Sequence, residues 1–388
     1  MFPEEKVRNE VATMRYIYDQ TSIPVPFVHH WGTKKKSPLE LSPFIIMDFI
    51  DHETNMYDAL NTPGCPRAEQ AAKTLLQLSR LSLPRIGSLE QVDDFTWAVT
   101  KRPLSIPMYT LVELGSLPQS KLPTTTFDTT SSYFEALAEL HITHLVHQRN
   151  DAIDSPDDCR RKLVARYLFR KLARKRRLTK HLASFDGGPF KLWCDDFRSA
   201  NILLSRELEV VGVVDWEFTY AAPVEYSFGP PWWLLIEKPE YWPRGLDDWC
   251  SEYERRLQTF LRAMHQREDK AIEQGWLEST QRLSGPMGES WASGDIWIAY
   301  AARNNFASDL VYWRKIDQRF FGSTASDAPI DDVWKQRLEL LEPDERVAIE
   351  KTVAIKLKEM KTRELVWDPN DYTKEAVEKI FGRKPACN

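Results

Sequence analysis

The chain has 388 residues, of which 42% are hydrophobic and 28% are charged, which is the composition of an ordinary folded globular protein. Its formal net charge of -5 argues against nucleic-acid binding carried by bulk electrostatics. A chain of this length can hold one large two-lobed unit or two domains.

Signals for secretion or membrane insertion are not found in the sequence. No apolar run reaches the roughly 18 residues of a transmembrane helix, and the N-terminal residues lack the apolar core of a signal peptide. The cysteines are few, odd in number and widely spaced, at Cys65, Cys159, Cys194, Cys250 and Cys387. They indicate free thiols in a reducing compartment, so we expect a cytoplasmic protein.

The first predicted element is a helix that begins near Pro3. At about 100° per residue, one face of it collects apolar side chains, at Val7, Val11, Met14, Ile17 and Tyr18. Glu10 falls inside this apolar sector, where a carboxylate requires a partner.

Two strands are predicted next, at residues 25–31 and 44–50. Lys34, Lys35 and Lys36 lie between them, and this basic cluster favours an exposed loop over a phosphate site. The chain contains neither Gly-x-Gly-x-x-Gly nor Gly-x4-Gly-Lys-Ser/Thr, the loops whose backbone holds nucleotide phosphates. Glycine is also scarce, since 15 of 388 residues is about 4%, against roughly 7% in average proteins.

The middle of the chain predicts two helices that form the base of a larger lobe. The first is indicated by a stripe at helical spacing, at Tyr133, Phe134, Leu137, Leu140, His141, His144 and Leu145. Ser155 and Pro156 provide an N-cap and a first-turn proline for the second, which we expect to run to about Lys180. A charged helical segment is expected at residues 344–361.

Two features of these helices have alternative interpretations. His141, His144 and His147 step by three along one helix, but two of them share the apolar stripe, so we interpret them as core or interface residues rather than metal ligands. The basic run at residues 160–180 retains an apolar stripe of its own, so it indicates a solvated helix face rather than a nucleic-acid patch.

The most informative spacing begins after a predicted strand at residues 190–193. Asp196 and Asn201 lie five residues apart, and a strand at residues 202–204 leaves the loop. Residues 205–207 predict a hairpin turn and residues 208–214 a returning strand. The hairpin therefore brings Asp215 beside Asn201.

These residue types are the parts of a phosphoryl-transfer site. Such a site requires an Asp that orients or deprotonates a hydroxyl, an Asn that binds one magnesium ion and an Asp that bridges the metals. The order Asp-x4-Asn, strand pair, Asp mirrors the protein-kinase signature. Arg198 is expected to direct its guanidinium toward the transferring phosphate. Cys194 is not expected to be a nucleophile, because the neighbouring Asp195 and Asp196 raise a thiol pKa.

Residues 191–233 resemble the aminoglycoside phosphotransferase and choline kinase superfamily, and most of all its fungal branch of small-molecule kinase homologues. Four further segments look like that branch, at residues 4–11, 23–26, 44–49 and 148–151. The resemblance implies an α+β, protein-kinase-like two-lobed fold, with a truncated N-lobe at residues 1–52 and a large, mainly helical C-lobe at residues 53–388.

The resemblance also implies roles for single residues. Asp196 is then the catalytic Asp, Asn201 and Asp215 are magnesium ligands, and a hinge contacts the adenine of ATP through the backbone of Met47, Asp48, Phe49 and Ile50. Glu10 corresponds to a helical Glu that pairs with a strand Lys on the α- and β-phosphates. The family usually carries a His two residues before the catalytic Asp, where this chain has Cys194.

Only two residues precede Pro3, whereas the strand Lys and the phosphate-covering strands should lie upstream of the first helix. We therefore expect an incomplete N-lobe. Either the gene model or its start site is truncated, or the protein is a kinase-fold relative with impaired nucleotide binding. Aromatic residues follow Asp215, and they fit an acceptor pocket and plain core packing equally well, at Trp232, Trp233, Tyr241, Trp242 and Trp249.

The leading hypothesis is an ATP- and magnesium-dependent phosphotransferase that acts on a hydroxyl of a small-molecule acceptor. The alternative is a catalytically impaired pseudokinase that serves as a binding or scaffolding module. A protein kinase is less favoured, because no Ala-Pro-Glu motif follows Asp215. Neither nucleic acid nor a membrane is an expected partner, and the acceptor and the oligomeric state remain open.

Overall fold

The computed structural model describes residues 2–61, 68–114, 117–149, 151–323 and 332–362. Its α-helices are α1 (Pro3–Gln20), α2 (Met56–Leu60), α3 (Ala68–Arg80), α4 (Ile106–Glu113), α5 (Thr130–His147), α6 (Pro156–Arg174), α7 (Val224–Ser227), α8 (Leu246–Glu273), α9 (Ser284–Ser293), α10 (Asp295–Arg303), α11 (Ser308–Val311), α12 (Asp317–Phe321), α13 (Val333–Arg337) and α14 (Pro343–Thr362). The strands are β1 (Val28–Gly32), β2 (Phe44–Met47), β3 (Thr54–Asn55), β4 (Ser82–Leu83), β5 (Ser88–Gln91), β6 (Trp97–Lys101), β7 (Phe190–Cys194), β8 (Ile202–Leu204), β9 (Val210–Val213) and β10 (Thr219–Ala222). Cys65, Asn150, Cys387 and residues 363–388 lie outside the described part.

Helix α1 begins at Pro3, where the sequence predicts it, and its first turn carries two acids that complement the helix dipole. Its apolar face packs against the β5–β6 hairpin and β1. Asn9 adds a buried hydrogen bond, because its Nδ2 donates to Ser88 Oγ at 3.2 Å. Tyr18 was predicted on this face but is 58% exposed. In the last turn of the helix its ring packs edge-on against Phe27 instead.

The predicted N-terminal strands form, but both are shorter than expected. Strands β1 and β2 pair antiparallel, with Gly32 opposite Phe44. Strand β1 starts at Val28 rather than at residue 25, because Pro24 and Pro26 have no N–H to donate to a ladder. The lysines between the strands form a surface 3₁₀ turn, as the loop prediction implied.

Two small antiparallel sheets hold the central loops. Strand β7 lies between β10 and β4, and β8 lies between β3 and β9. The predicted hairpin is present, with Ile202 opposite Val213. Its turn is closed by Ser205, whose N–H donates to the carbonyl of Glu209. Strand β7 therefore leads into the loop that carries Asp196, and strand β9 leads to Asp215.

Helices α5 and α6 form the predicted base and pack against each other. Every residue of the predicted α5 stripe is buried. His141 and His144 are 1% and 0% exposed, and burial lowers both pKa values, so the core interpretation is confirmed for these two. His147 is only half-buried, and its Nδ1 donates to the carbonyl of Thr143 within its own helix at 2.8 Å.

Helix α6 starts as predicted, where Ser155 Oγ accepts the N–H of Asp158, but it ends at Arg174 rather than near Lys180. Arg176 has a positive φ of 52°, and the next N–H folds back onto the carbonyl of Leu172, which terminates the helix.

The basic run of α6 is not simply solvated. Arg166 is buried and forms a two-point ion pair with Asp309, at 3.0 and 2.8 Å. Arg170 pairs with Glu139 and Glu345. The run therefore fastens α6 to α5, α11 and α14. None of the helices within the described ranges is long and apolar enough to span a membrane.

Candidate active site

Asp196, Asn201 and Asp215 converge at the ends of β7 and β9, as their spacing predicts. Asn201 Nδ2 donates to Asp196 Oδ2 at 3.1 Å and to the Asp196 carbonyl at 2.9 Å. The same nitrogen lies 3.4 Å from Asp215 Oδ2. One amide thus holds two carboxylates from two loops at a single point.

The backbone explains this convergence. The N–H of Asp195 donates to the carbonyl of Phe218 at 3.1 Å, and the N–H of Val214 donates to the carbonyl of Asn201 at 3.0 Å. Asp215 adopts a left-handed conformation with φ 69°, which is uncommon outside glycine and concentrates at functional sites. Cys194 Sγ lies 3.7 Å from the Asp215 carbonyl, so the residue at the usual His position also braces this turn.

The Asp196 carboxyl lies in a partly desolvated, charged environment. Burial raises the pKa of Asp196 to about 6, and the Asp215 carboxyl beside it adds to the rise. Arg198 opposes this effect, since its Nε lies 3.1 Å from Asp196 Oδ1. Arg198 is about half exposed, with 48% of its side chain accessible. The guanidinium expected to face a phosphate therefore faces Asp196 in this structure.

The donor set fits a magnesium ion. Magnesium typically takes one or two protein carboxylates and completes its shell with water and substrate phosphates. Asn201 uses its Nδ2 within the site, and its Oδ1 accepts no hydrogen bond from the described residues. Oδ1 and the Asp215 carboxylate are thus available as oxygen ligands. No group of three or more His, Cys, Asp or Glu side chains in ligand geometry occurs in the part of the chain that the structure describes.

Glu10 reaches this site from α1. Its pKa is raised to about 7, first by burial and then by the charges of Asp215 and Glu217. The N–H of Trp216 bonds to it and, with Lys6, lowers the pKa. Among the described residues Glu10 has no ion-pair partner. The predicted position and raised pKa of Glu10 are confirmed, whereas its role with a nucleotide stays a prediction.

The predicted hinge at residues 47–50 packs against the β8–β9 hairpin that leads to Asp215. Its backbone continues from β2, where the N–H of Asp48 donates to the carbonyl of Phe27 at 3.0 Å. Phe49 is 85% exposed. Ile50 packs on β9 so closely that a Cβ at Gly212 would lie 2.5 Å from Ile50 Cδ1. Glycine at this position therefore lets the hinge approach the hairpin, and adenine binding by the hinge stays a prediction.

Residues 2–268 match the model of the phosphotransferase enzyme family, abbreviated APH. The chain belongs to this family. Among solved structures, it is similar to an ethanolamine kinase from Plasmodium vivax, with 13% identity, coverage of 89% of this chain and 74% of the other, and a TM-score of 0.37. It is also similar to the ADP-bound aminoglycoside phosphotransferase APH(2'')-Ib, with 10% identity, coverage of 81% and 83%, and a TM-score of 0.37. No curated protein matches the sequence well enough to count as a relative.

The expected α+β architecture is confirmed, but one anchor of the loop that carries Asp196 was missed in the sequence. Asp195 is buried and accepts from three directions: Trp193 Nε1 at 2.7 Å, the Ile106 N–H at 3.2 Å and Arg303 at 3.5 Å. The adjacent aspartates at positions 195 and 196 were the one sequence signal that could have indicated this anchor. The sequence did not indicate that Arg303 pairs with Asp195, because the two residues are 108 positions apart.

The aromatic residues after Asp215 divide into two groups. Trp232, Trp233 and Trp249 line a cavity beside Asp195 and Arg303, but its volume is only about 50 Å³, which is room for one or two water molecules. Tyr241 is 65% exposed, and neither it nor Trp242 lines this cavity. Tyr241 therefore does not belong to the core, whereas Trp242 is partly buried and packs against it. For Trp233 and Trp249, which are 3% and 1% exposed, core packing dominates.

Proposed function

We propose that this chain is an ATP-dependent phosphotransferase that transfers the γ-phosphate to a hydroxyl group of a small-molecule acceptor. The observation that carries the proposal is the grouping of Asp196, Asn201 and Asp215 around one amide nitrogen. Membership of the phosphotransferase family supports the same reaction class. The acceptor itself is left open by this site.

Each residue has a role in the proposed reaction. Asp196 lies at the end of β7 with a partly accessible carboxylate, so it can accept the hydrogen bond of an acceptor hydroxyl and take its proton as the phosphoryl group transfers. Asn201 and Asp215 would hold magnesium through oxygen atoms. When bound, magnesium neutralises charge on the nucleotide phosphates. Arg198 would leave Asp196 for the transferring phosphate.

We also propose that the N-lobe comprises residues 1–52 and the C-lobe residues 53–388. Pairing of β3 with β8 supports this boundary, because residues 54 and 55 already belong to the sheet of the catalytic hairpin. The N–H of Glu53 donates to the carbonyl of Leu204. The nucleotide would then lie between these lobes, with adenine at residues 47–50. We further propose a cytoplasmic location, in line with the cysteine usage.

The test is phosphoryl transfer by the purified chain. ADP formation is followed with magnesium-ATP and a panel of amino alcohols, aminoglycosides and other hydroxyl compounds, and phosphorus NMR identifies the phosphorylated product. Asp196→Asn is the matched control, because it preserves the shape of the side chain. Acceptor-dependent ADP formation that disappears in Asp196→Asn supports the proposal. ADP formation that persists in the variant contradicts it.

The binding-module alternative rests on a specific contact, the Arg198–Asp196 ion pair, which covers the catalytic carboxylate. Thermal-shift titration separates the two functions, since a ligand stabilises the folded state by about 2.7 kcal/mol at a hundred times its Kd. A shift at micromolar magnesium-ATP supports the enzyme. No shift at millimolar concentrations favours the pseudokinase.

A further inference from the structure

Lys6 contacts the chain segment that directly follows Asp215. Its Nζ lies 2.8 Å from Glu217 Oε2. One helical turn later on α1, Glu10 accepts the N–H of Trp216. Residues four apart lie on the same face of a helix, so α1 presents an ammonium and a carboxyl side by side to residues 215–217.

Aromatic rings hold the ammonium of Lys6 without neutralising it. Its Nζ lies 5.1 Å from the ring centroid of Tyr109 and 5.3 Å from that of Phe218. These distances are typical of cation–π contacts. The side chain of Lys6 is 23% exposed and that of Glu217 is 24% exposed. The ion pair is therefore open to solvent, and a ligand can reach it.

The charges around this pair are unbalanced. Asp215 and Glu217 raise the pKa of Glu10, while Lys6 lowers it, so these four groups are close enough to influence one another. Asp196 adds a further carboxyl beside Asp215. The ammonium of Lys6 is held by these acids, and the negatively charged triphosphate of a nucleotide that arrives with magnesium would compete with Glu217 for it.

We propose that Lys6 binds an oxygen of the nucleotide phosphates by exchanging its ion pair with Glu217 for one with phosphate. The inference rests on the proposed function, since it assumes that a nucleotide binds beside Asp215. A Lys–Glu pair that solvent reaches is weak and exchanges easily, whereas a compact ammonium forms a strong, charge-assisted bond to phosphate. Helix α1 would thus supply the cation that contacts the phosphates.

The test compares magnesium-ATP with adenosine, which lacks phosphates, by isothermal titration calorimetry. Lys6→Met should raise the Kd for magnesium-ATP by about 10- to 100-fold, because it removes a hydrogen bond to a charged group, and should leave the adenosine Kd unchanged. Lys6→Arg should retain most of the affinity. Arg8→Met is the matched control, since Arg8 lies on the same helix but is exposed and pairs with Glu4.

Glu217→Gln separates phosphate binding from a structural role of the ion pair. If Lys6 only fastens α1 to Glu217, removing either partner should weaken magnesium-ATP binding alike. The proposal instead expects Glu217→Gln to bind magnesium-ATP as tightly as the wild type or more so, because Lys6 is released.

Equal affinities of wild type and Lys6→Met for magnesium-ATP would overturn the proposal, as would a parallel loss of adenosine binding in Lys6→Met. A wild-type chain that binds no magnesium-ATP would instead refute the proposed function, and this inference with it.

Discussion

Replacing Glu10 by Gln should make the stability of the protein less dependent on pH. Burial, Asp215 and Glu217 raise the pKa of Glu10 from its ordinary 4.5 to about 7. A carboxyl whose pKa is raised on folding contributes stability that is fully present below pH 4.5 and is lost as the pH rises through 7. Each pH unit between the two values corresponds to about 1.4 kcal/mol. Between pH 4.5 and 7 the free energy of unfolding of the wild type should therefore fall by about 3 kcal/mol more than that of Glu10→Gln.

The assay is urea unfolding in metal-free buffer at about pH 4.5 and about pH 8, for wild type and Glu10→Gln. The difference between the two proteins cancels the titrating groups that lie far from Glu10. Glu4→Gln is the matched control on the same helix, because Glu4 is exposed and paired with Arg8. Glu10→Gln should gain stability relative to wild type as the pH rises, and Glu4→Gln should not.

Magnesium provides a second measurement of the same charge. If Asp215 binds magnesium, its repulsion of Glu10 decreases, the pKa of Glu10 falls toward 4.5, and the pH dependence of the wild type becomes smaller. Identical pH profiles for wild type and Glu10→Gln would refute the placement of Glu10 beside Asp215. A steeper profile for wild type in magnesium would contradict metal binding at Asp215.

Three further predictions concern catalysis and stability. Asp196→Asn should lower kcat by about 10² to 10⁴ with little change in the Kd for magnesium-ATP, as steady-state kinetics and calorimetry would show; a fall in affinity alone would contradict its role. Asp215→Ala should weaken magnesium-ATP binding, because it removes a metal ligand, and should have less effect on nucleotide binding in EDTA. Asp309→Asn should destabilise the fold by about 3 to 5 kcal/mol in urea unfolding, because it leaves the buried Arg166 guanidinium without its charged partner; a loss below about 1 kcal/mol would show that water reaches the pair.

Local patterns predicted those parts of the fold that depend on nearby residues. The α5 stripe, the Ser155 cap and the hairpin that brings back Asp215 are each encoded within some twenty residues, and all three form. Helix ends were less predictable. The stop of α6 depends on the left-handed backbone of Arg176, which has no side-chain signal of the kind that glycine gives.

The charges of the candidate site were predictable only in part. A carboxylate on the apolar face of a helix indicated that Glu10 would be desolvated, and its pKa is raised mainly by burial. The Lys6–Glu217 pair joins residues 211 positions apart, and no periodicity links them. The motif predicted the position of Arg198 in the loop but not the direction of its guanidinium, which pairs with Asp196.

The adjacent Asp195 and Asp196 show why the motif alone cannot predict the geometry of the loop that carries them. Both follow the end of β7, but the side chain of Asp195 is only 5% exposed, whereas that of Asp196 is 19% exposed. Asp195 fastens the loop to α4 through the N–H of Ile106 and to α10 through Arg303. Arg303 is held in turn between the rings of Trp193 and Tyr226, at 4.6 and 4.7 Å from their centroids. The position of Asp196 therefore depends on helices far along the chain, and any change in the aromatic cavity that moves Arg303 should also move the Asp196 carboxylate.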